Sequence, residues 1–420
     1  MTAVLLNGGQ GVAQAGPRRV AITGVGVVSP LGTSVPDYWR SLLAGKSGIS
    51  RLQRFDSSPF TTSVAAQVTG FDPLEHADAR TVRTTDPSAI YLLAAAREAL
   101  AAAHGTRGLR PAAVGVVVGL DIAHDSVRRA ALALERDGQI GVDAFALVQA
   151  LPNSASSLVS QTFGFRGAQY ALSGACASGV LALLHAWSLI QLGSVDAAVA
   201  GSAATLSPLA VASCCAARVV TRNPDPATAS RPFDKLRDGF VIGEGAAALV
   251  VEDLGHATKR DAPILCELLG GWQNSSISGY TVNPAADAAE CMSGALRATG
   301  VDPSEVDIVG AHATSTPIGD RQEAEALRTV FDGRTVPAFA VKSMLGHCAS
   351  AAGGLETIAL ILALGNGIAP PTVNYEHPDP ACDVDCVPNQ ARRIEARIGL
   401  KNSFGFGGVN SALVLRRWDA

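Results

Sequence analysis

Apolar residues along this chain come in two rhythms. Continuous runs such as "VAITGVGVV", "AAVGVVVGL", "VDAAVAGSAAT" and "GAAALVVEDL" are bounded by Gly, Pro or Ser, the mark of strands buried on both faces. Between them lie stretches with helical spacing: "VPDYWRSLLAG", a helix over 86–104 that opens on Asp86 and Pro87, and "DAFALVQALPNSASSLVSQTFG". "GAQYALSG" reads as a strand that runs into a long apolar helix beginning near Cys176. From "ILCELLGGWQNSS" onward the logic repeats, with helices at 285–299 and from 319, and "VDIVGAHATST" and "AFAVKSMLGH" as strands running into polar loops. The helix "SAAGGLETIALILALGNG" and two strands joined by a Gly-rich hairpin, "RIGLKNSFGFGGVNSALVLRR", complete the repeat. Strands alternating with helices predict an α/β fold with sheets covered by helices. The halves, 18–268 and 269–420, have no Pro/Ser-rich linker between them and are expected to pack as one unit. They share a pattern and not residue identities.

Composition narrows the class. The chain has 420 residues, 48% of them hydrophobic and 17% charged, with a formal net charge of −4. That balance, with no basic stripe, argues against nucleic acid as a partner. Eight scattered cysteines in mostly apolar surroundings suit a reducing, cytoplasmic setting better than a disulfide framework. The opening "MTAVLLNGGQGVAQAGPRR" lacks the order of an export signal and reads as a leader before the first strand. The longest apolar runs are interrupted by Gly, Pro and Ser, so no membrane span is expected.

Four small polar clusters fall at the ends of expected strands, where α/β sheets build their sites. They are Cys176, His312 in "AHATSTPIGD", Lys342 and His347 in "KSMLGH", and Phe404 and Phe406 in "NSFGFGGVN". At a helix start the free amides and the helix dipole favour a thiolate, and Gly174, Ala175, Ala177, Ser178 and Gly179 leave room above Cys176. Alone, this stretch fits a buried structural cysteine as well as a nucleophile. Two histidines and Lys342 at comparable positions tilt the reading toward chemistry. Neutral imidazoles that donate to one carbonyl would hold an enolate as an oxyanion hole does. The set suits acyl transfer to sulfur followed by carbanion chemistry.

In this order, "LSGACASG", "RPFDKLRDGFVIGEGAAALVVEDLGHA", "AHATSTPIGD", "KSMLGHCASAAGGLE" and "NSFGFGGVN" resemble the β-ketoacyl-(acyl carrier protein) synthases. The likeness runs from Arg18 to Arg417 and is strongest to the elongating condensing enzymes of bacterial type II fatty acid or polyketide synthesis. It implies a thiolase-like, five-layered αβαβα fold from two similar halves, normally a dimer. By resemblance Cys176 is the acyl-carrying nucleophile, and His312 and His347 bind the malonyl thioester and promote decarboxylation. Lys342 and Glu356 match the supporting charged pair, and Asp320, Thr314 and Thr316 the polar loop around His312. Phe406 matches the gate, flanked by Phe404 and Gly407, and its amide pairs with that of Cys176 as the oxyanion hole. The implied reaction is decarboxylative condensation of malonyl-acyl carrier protein with a cysteine-bound acyl chain, with no metal or redox cofactor. The implied partners are acyl carrier protein and a second copy of the chain; a heterodimer with a chain-length partner is the alternative.

The chain departs from that pattern in places. Ala313 stands where glycine is common. Ser213, Cys214 and Cys215 replace the aromatic often found in the acyl pocket, which predicts a pocket of different shape. "LERDGQIGVDAF" lacks a basic pair for the carrier protein, leaving Arg80, Arg83 and Arg218 as its candidate contacts. A silent chain-length subunit would lack Cys176, and a thiolase would carry a second cysteine where this chain has "FGFGG". Arg231, Asp234, Arg237, Asp238 and Glu244 are assigned to loop salt bridges. "CDVDC" (Cys382, Cys386) has no second pair to complete a zinc site.

Overall fold

The computed structural model describes residues 17–121 and 124–419, so the expected leader falls almost wholly on residues 1–16, outside the described residues. The first half contains β1 (Val20–Val28), α1 (Pro87–Ala102), β2 (Val114–Leu120), α2 (Asn153–Phe163), β3 (Gln169–Leu172), α3 (Ser178–Gln191), β4 (Ala197–Ala204) and β5 (Gly245–Asp253). The second contains β6 (Cys266–Ser275), α4 (Ala285–Thr299), β7 (Ile308–Gly310), α5 (Gly319–Val330), β8 (Ala338–Phe339), α6 (Ala352–Asn366), β9 (Ile398–Gly405) and β10 (Val409–Arg417).

These strands line up as β8-β7-β9-β10-β6-β1-β5-β4-β2-β3. Read from either end, the order is the third, second, fourth, fifth and first strand of its half, so the topology is duplicated. In each half the outer three strands are parallel and the inner ones antiparallel. The halves meet through a short antiparallel pairing, Ala21 with Glu267 and Ile22 with Cys266. Outside the first half lie α1 and α2; outside the second lies α4, with α5 packed on it. Between them α3 and α6 touch each other and strands of both halves. These are the five layers of a thiolase-like α/β fold.

Local chemistry explains most boundaries. The Asp86 carboxylate accepts the Ser88 amide at 3.0 Å and Pro87 starts α1, a helix apolar on nearly all sides because it lies between sheet and α2. α6 ends on Gly367 at φ 64. The stretch 349–366 is long and apolar enough to cross a membrane but is 78% buried as a core helix in the central layer.

Three elements differ from expectation. "DAFALVQALPNSASS" does not form one helix. Leu151, preceding Pro152, is extended and separates Ala146–Ala150 from α2. The strand in "AFAVKSMLGH" stops at Phe339, and Lys342 begins a short helix, Lys342–Leu345, because a short apolar run carries no period that separates strand from buried helix. An unforeseen helix, His124–Asp137, leaves Leu132 and Leu134 exposed.

Candidate active site

β3 ends at Leu172, and the chain turns through Gly174 and Ala175, whose φ of 49° is rare for a residue with a side chain. The 3₁₀ turn Ala175–Ala177 follows and presents Cys176 at the start of α3. The same device recurs in the second half. Ala349, at φ 44°, opens the turn Ala349–Ala351 before α6, and His347 lies just ahead of it. The two turns bring the His347 Nε2 to 2.9 Å from the Cys176 Sγ.

His312 follows β7 on a loop held by carboxylates. Glu323 accepts the amides of His312 at 2.8 Å and Ala313 at 2.6 Å. Asp320 accepts those of Phe233 at 2.8 Å and Ser315 at 3.0 Å. Burial pushes the Asp320 carboxyl up to about 7 against the pull of these amides and of Arg237. Lys342 donates to the carbonyl of His312 and to Glu356, and its Nζ lies 3.3 Å from the His312 Nδ1. An ammonium has only donors, so Nδ1 accepts and the imidazole proton sits on Nε2. The two imidazoles meet edge to face with centroids 5.7 Å apart.

Electrostatics set the protonation states. Burial, the Lys342 charge, His347 and Lys401 hold His312 well below the usual 6.5; burial, Lys342 and Lys401 do the same to His347. Both are neutral at physiological pH. Burial pushes the Cys176 thiol up to about 12, helped by the Asp121 carboxylate and opposed by Lys342 and the Phe406 amide. The thiolate expected from the helix start is therefore not the resting state: loss of water around the sulfur outweighs the free amides and the dipole.

The segment expected to act as a gate lies at the hairpin between β9 and β10. A side chain on Gly405 would put its Cβ 2.3 Å from the Gly174 carbonyl oxygen, so only glycine lets β9 approach the nucleophile turn. Gly407 has a φ of 82°, and its amide donates to the Tyr280 carbonyl at 2.7 Å. That amide is committed to the loop that follows β6. The amide of Phe406 reaches the Cys176 sulfur.

Two cavities meet at Cys176. One, of about 370 Å³, carries His312, Thr314, Thr316, Phe404 and Arg218 on its wall. The other, of about 220 Å³, is bounded by Ala203, Ala204, Ala210, Ser213 and Cys214. Cys176, His347, Phe240 and Phe406 border both. Lys342, Glu356 and Asp320 sit buried behind the first. Of the departures in the pocket segment, Ser213 and Cys214 line the second cavity and Cys215 does not. Arg80 and Arg83 lie exposed on the helix Ala79–Thr84, away from both walls.

The charged stretch is structural, as expected. Arg231 pairs with Asp234 at 3.5 Å, Arg237 with Asp379 at 2.7 Å and Glu244 with Arg54 at 2.6 Å. Asp238 accepts the Arg222 amide at 3.0 Å. Cys382 and Cys386 pack as buried thiols around Phe233. Sequence reasoning missed Glu323, Lys401 and Asn402. Glu323 lies one turn beyond Asp320, and Lys401 is a lone charge in an apolar strand, which is the signal that marks a buried pair.

Comparisons with known proteins agree with this geometry. The model of the β-ketoacyl synthase N-terminal domain matches residues 17–257, and that of the C-terminal domain 268–376. A 3-oxoacyl-(acyl-carrier-protein) synthase 2 of Coxiella burnetii is 41% identical over 411 residues, covering 95% of this chain and 99% of its own. The solved ishigamide ketosynthase/chain length factor superposes with a TM-score of 0.90 at 32% identity, covering 96% of this chain and 100% of that one. A type II polyketide synthase acyl-carrier protein in complex with its ketosynthase bound to the hexaketide gives 0.90 at 30% identity, with the same coverage. Fold, site and relatives together place this chain in the β-ketoacyl synthase family, acyltransferases that form carbon–carbon bonds by condensation.

Proposed function

We propose that the protein extends an acyl chain held on Cys176 by decarboxylative Claisen condensation with malonyl-acyl carrier protein. The observation that carries the reading is the junction at Cys176. The sulfur faces a neutral imidazole at 2.9 Å and the Phe406 amide, where a polar cavity meets a small-residue pocket.

Loading comes first. As Cys176 Sγ attacks an acyl thioester, with His347 Nε2–H donating to the sulfur, the Cys176 proton passes to the carrier sulfur, which leaves as a thiol as the acyl–sulfur bond to the enzyme forms. The amides of Cys176 and Phe406 hold the tetrahedral oxygen. The acyl chain then occupies the cavity beside Ala203 and Cys214. In the second step malonyl-carrier enters the cavity of Thr314 and Thr316. The imidazoles of His312 and His347 donate to the thioester oxygen as the carboxylate leaves as carbon dioxide. The enolate carbon attacks the acyl thioester, the bond to Cys176 breaks, and the released thiolate takes up from solvent the one proton that the overall reaction consumes. Lys342 and Glu356 fix the His312 tautomer, and Asp320 and Glu323 shape its loop.

The partner is acyl carrier protein, drawn to Arg218 at the cavity wall, with Arg80 and Arg83 as outlying contacts for an anionic carrier. The working unit is a homodimer of two-repeat chains (18–268 and 269–420) in the cytoplasm, supported by exposed Leu132, Leu134, Ile140 and Leu147 along the segment before β3. A heterodimer with a chain-length partner is the second reading, and the likeness to the ishigamide ketosynthase/chain length factor supports it. Purified protein given malonyl-carrier and acyl-carriers of graded length and unsaturation tests the chemistry. Formation of β-ketoacyl-carrier is expected, and no condensation with any primer would sink it. Light scattering of the chain alone separates the two assemblies.

A further inference from the structure

Among the described residues, one buried lysine has no part in this mechanism. Lys401, on β9, is fully buried, and its Nζ lies 2.8 Å from the Glu356 Oε2. The other oxygen of Glu356 is taken by Lys342, which also holds His312. Two ammonium groups thus share one carboxylate in a dry interior, an arrangement that costs desolvation without adding a pair of its own. Burial lowers the Lys401 ammonium's pKa and Glu356 opposes that effect.

We propose that Lys401 is a positioning residue for decarboxylation: it clamps the free oxygen of Glu356, so that Lys342 stays aimed at His312, and it places a further positive charge behind both imidazoles. The inference rests on the condensation reading given above.

The geometry has a direct consequence. A Glu356 carboxylate held by Lys342 alone is free to turn about its own bond, and Lys342 follows it. Paired with Lys401 as well, whose Nζ also donates to the Asn402 carbonyl, the carboxylate is restrained from both sides, and His312 keeps its proton on Nε2. Lys342 on its short helix and Lys401 on β9 act on both imidazoles, and His347 acts on His312. Behind the lysines, Glu356 on α6 pairs with both; Glu323 and Asp320 on α5 hold the His312 loop, Cys176 before α3 touches His347, and Asp121 after β2 acts on Cys176. Glu323 and Asp320 are occupied by backbone amides, so the cations dominate. Positive charge disfavours protonation of His312 and His347, and each works only while neutral. Activity is therefore lost as pH falls through their depressed pKa values, and removing Lys401 moves that loss to higher pH.

Lys401→Met in the full chain tests this. Carbon dioxide release from malonyl-carrier without acyl primer is followed from about pH 5 to about pH 9, beside acyl loading of Cys176. The wild type has its acid limb below 6.5. K401M raises the limb by about one unit and lowers decarboxylation more than loading. K401Q, which keeps a donor for Glu356 without the charge, regains rate but retains the shifted limb. An unmoved limb in K401M, or equal loss of loading and decarboxylation, overturns the assignment. So does a wild-type limb at or above 6.5, a measurement that needs no variant. A wild-type protein that neither loads nor decarboxylates breaks the condensation reading itself, and this inference with it.

Discussion

The two halves of the sheet have the same strand order and place a turn with a strained alanine before each central helix, yet they divide the chemistry between them. In the first half the residue after the strained Ala175 is Cys176, open to two cavities. In the second the residue after Ala349 is Ser350, fully buried, its hydroxyl donating to the Ala203 carbonyl at 2.7 Å. The strand ends differ in the same way. β2 runs into Asp121, whereas β7 runs into His312. One backbone plan has thus been used twice, once to expose a nucleophile among small residues and once to bring His347 beside His312, which rests on a buried ion pair. On the proposed mechanism, loading belongs mainly to the first half and decarboxylation mainly to the second. His347, which touches the sulfur, couples them.

The sharpest way to break this division is to remove one half's chemistry and watch the other. Cys176→Ala removes the acceptor for the acyl chain, and condensation is expected to fall by on the order of 10⁴-fold or more. If acyl-carrier still loads covalently onto that variant, the nucleophile is elsewhere. Cys176→Gln, whose side chain imitates an acylated cysteine, is expected to release carbon dioxide from malonyl-carrier without condensing it. Next in size is His312→Ala. Decarboxylation should fall by roughly 10²- to 10³-fold, the loss typical of one oxyanion donor. Radiolabelled acyl loading of Cys176 should change far less. Equal losses in both assays would erase the distinction between the halves.

How much of this was written in the sequence follows from the same contrast. Strands buried on both faces announce themselves as apolar runs, so both halves and their central helices were legible. The motifs around Cys176, His312 and Phe406 stood at strand ends, where sites form; His347 follows a short helix, and all four line the cavities. What escaped was whatever depends on partners distant in the chain. Lys401 acquires meaning only when Glu356 lies against it, and Glu323 only when two amides of the His312 loop turn toward it. The thiol of Cys176 was read from its helix start alone, and the dry surroundings that push it up to about 12 come from elements far along the chain. The short helix at Lys342 was hidden because four buried residues carry no readable period.

The gate offers a smaller effect that sharpens where the halves join. Gly407 sits at φ 82° with nothing near its absent side chain, so Gly407→Ala meets strain and no clash. A residue with a Cβ in that conformation costs about 1–2 kcal/mol. Condensation is expected to slow by about tenfold, while thermal unfolding of the whole chain shifts by only a few degrees. A variant whose stability falls but whose kcat does not would show that the hairpin is a staple and not a moving part.

The smallest predicted effect concerns the pocket behind the nucleophile. Cys214 and Ser213 lie on its wall, and the nearby positions Ala203, Ala204 and Ala210 are small as well. Burial pushes the Cys214 thiol up to about 11, so it lines the pocket as a neutral, apolar surface and takes no part in acyl transfer. Cys214→Phe fills that space, and the added ring takes from the pocket volume that a long chain needs more than a short one. Short acyl-carriers should load and condense as before, and long ones should lose roughly three- to tenfold in kcat/KM. The ratio of the two, measured on one preparation, cancels any general loss of folded enzyme. A uniform loss at every chain length would mean that the acyl chain does not run past Cys214. The cavity beside Ala203 would then not be the place where the growing chain lies, and the first half's share of the chemistry would end at the sulfur.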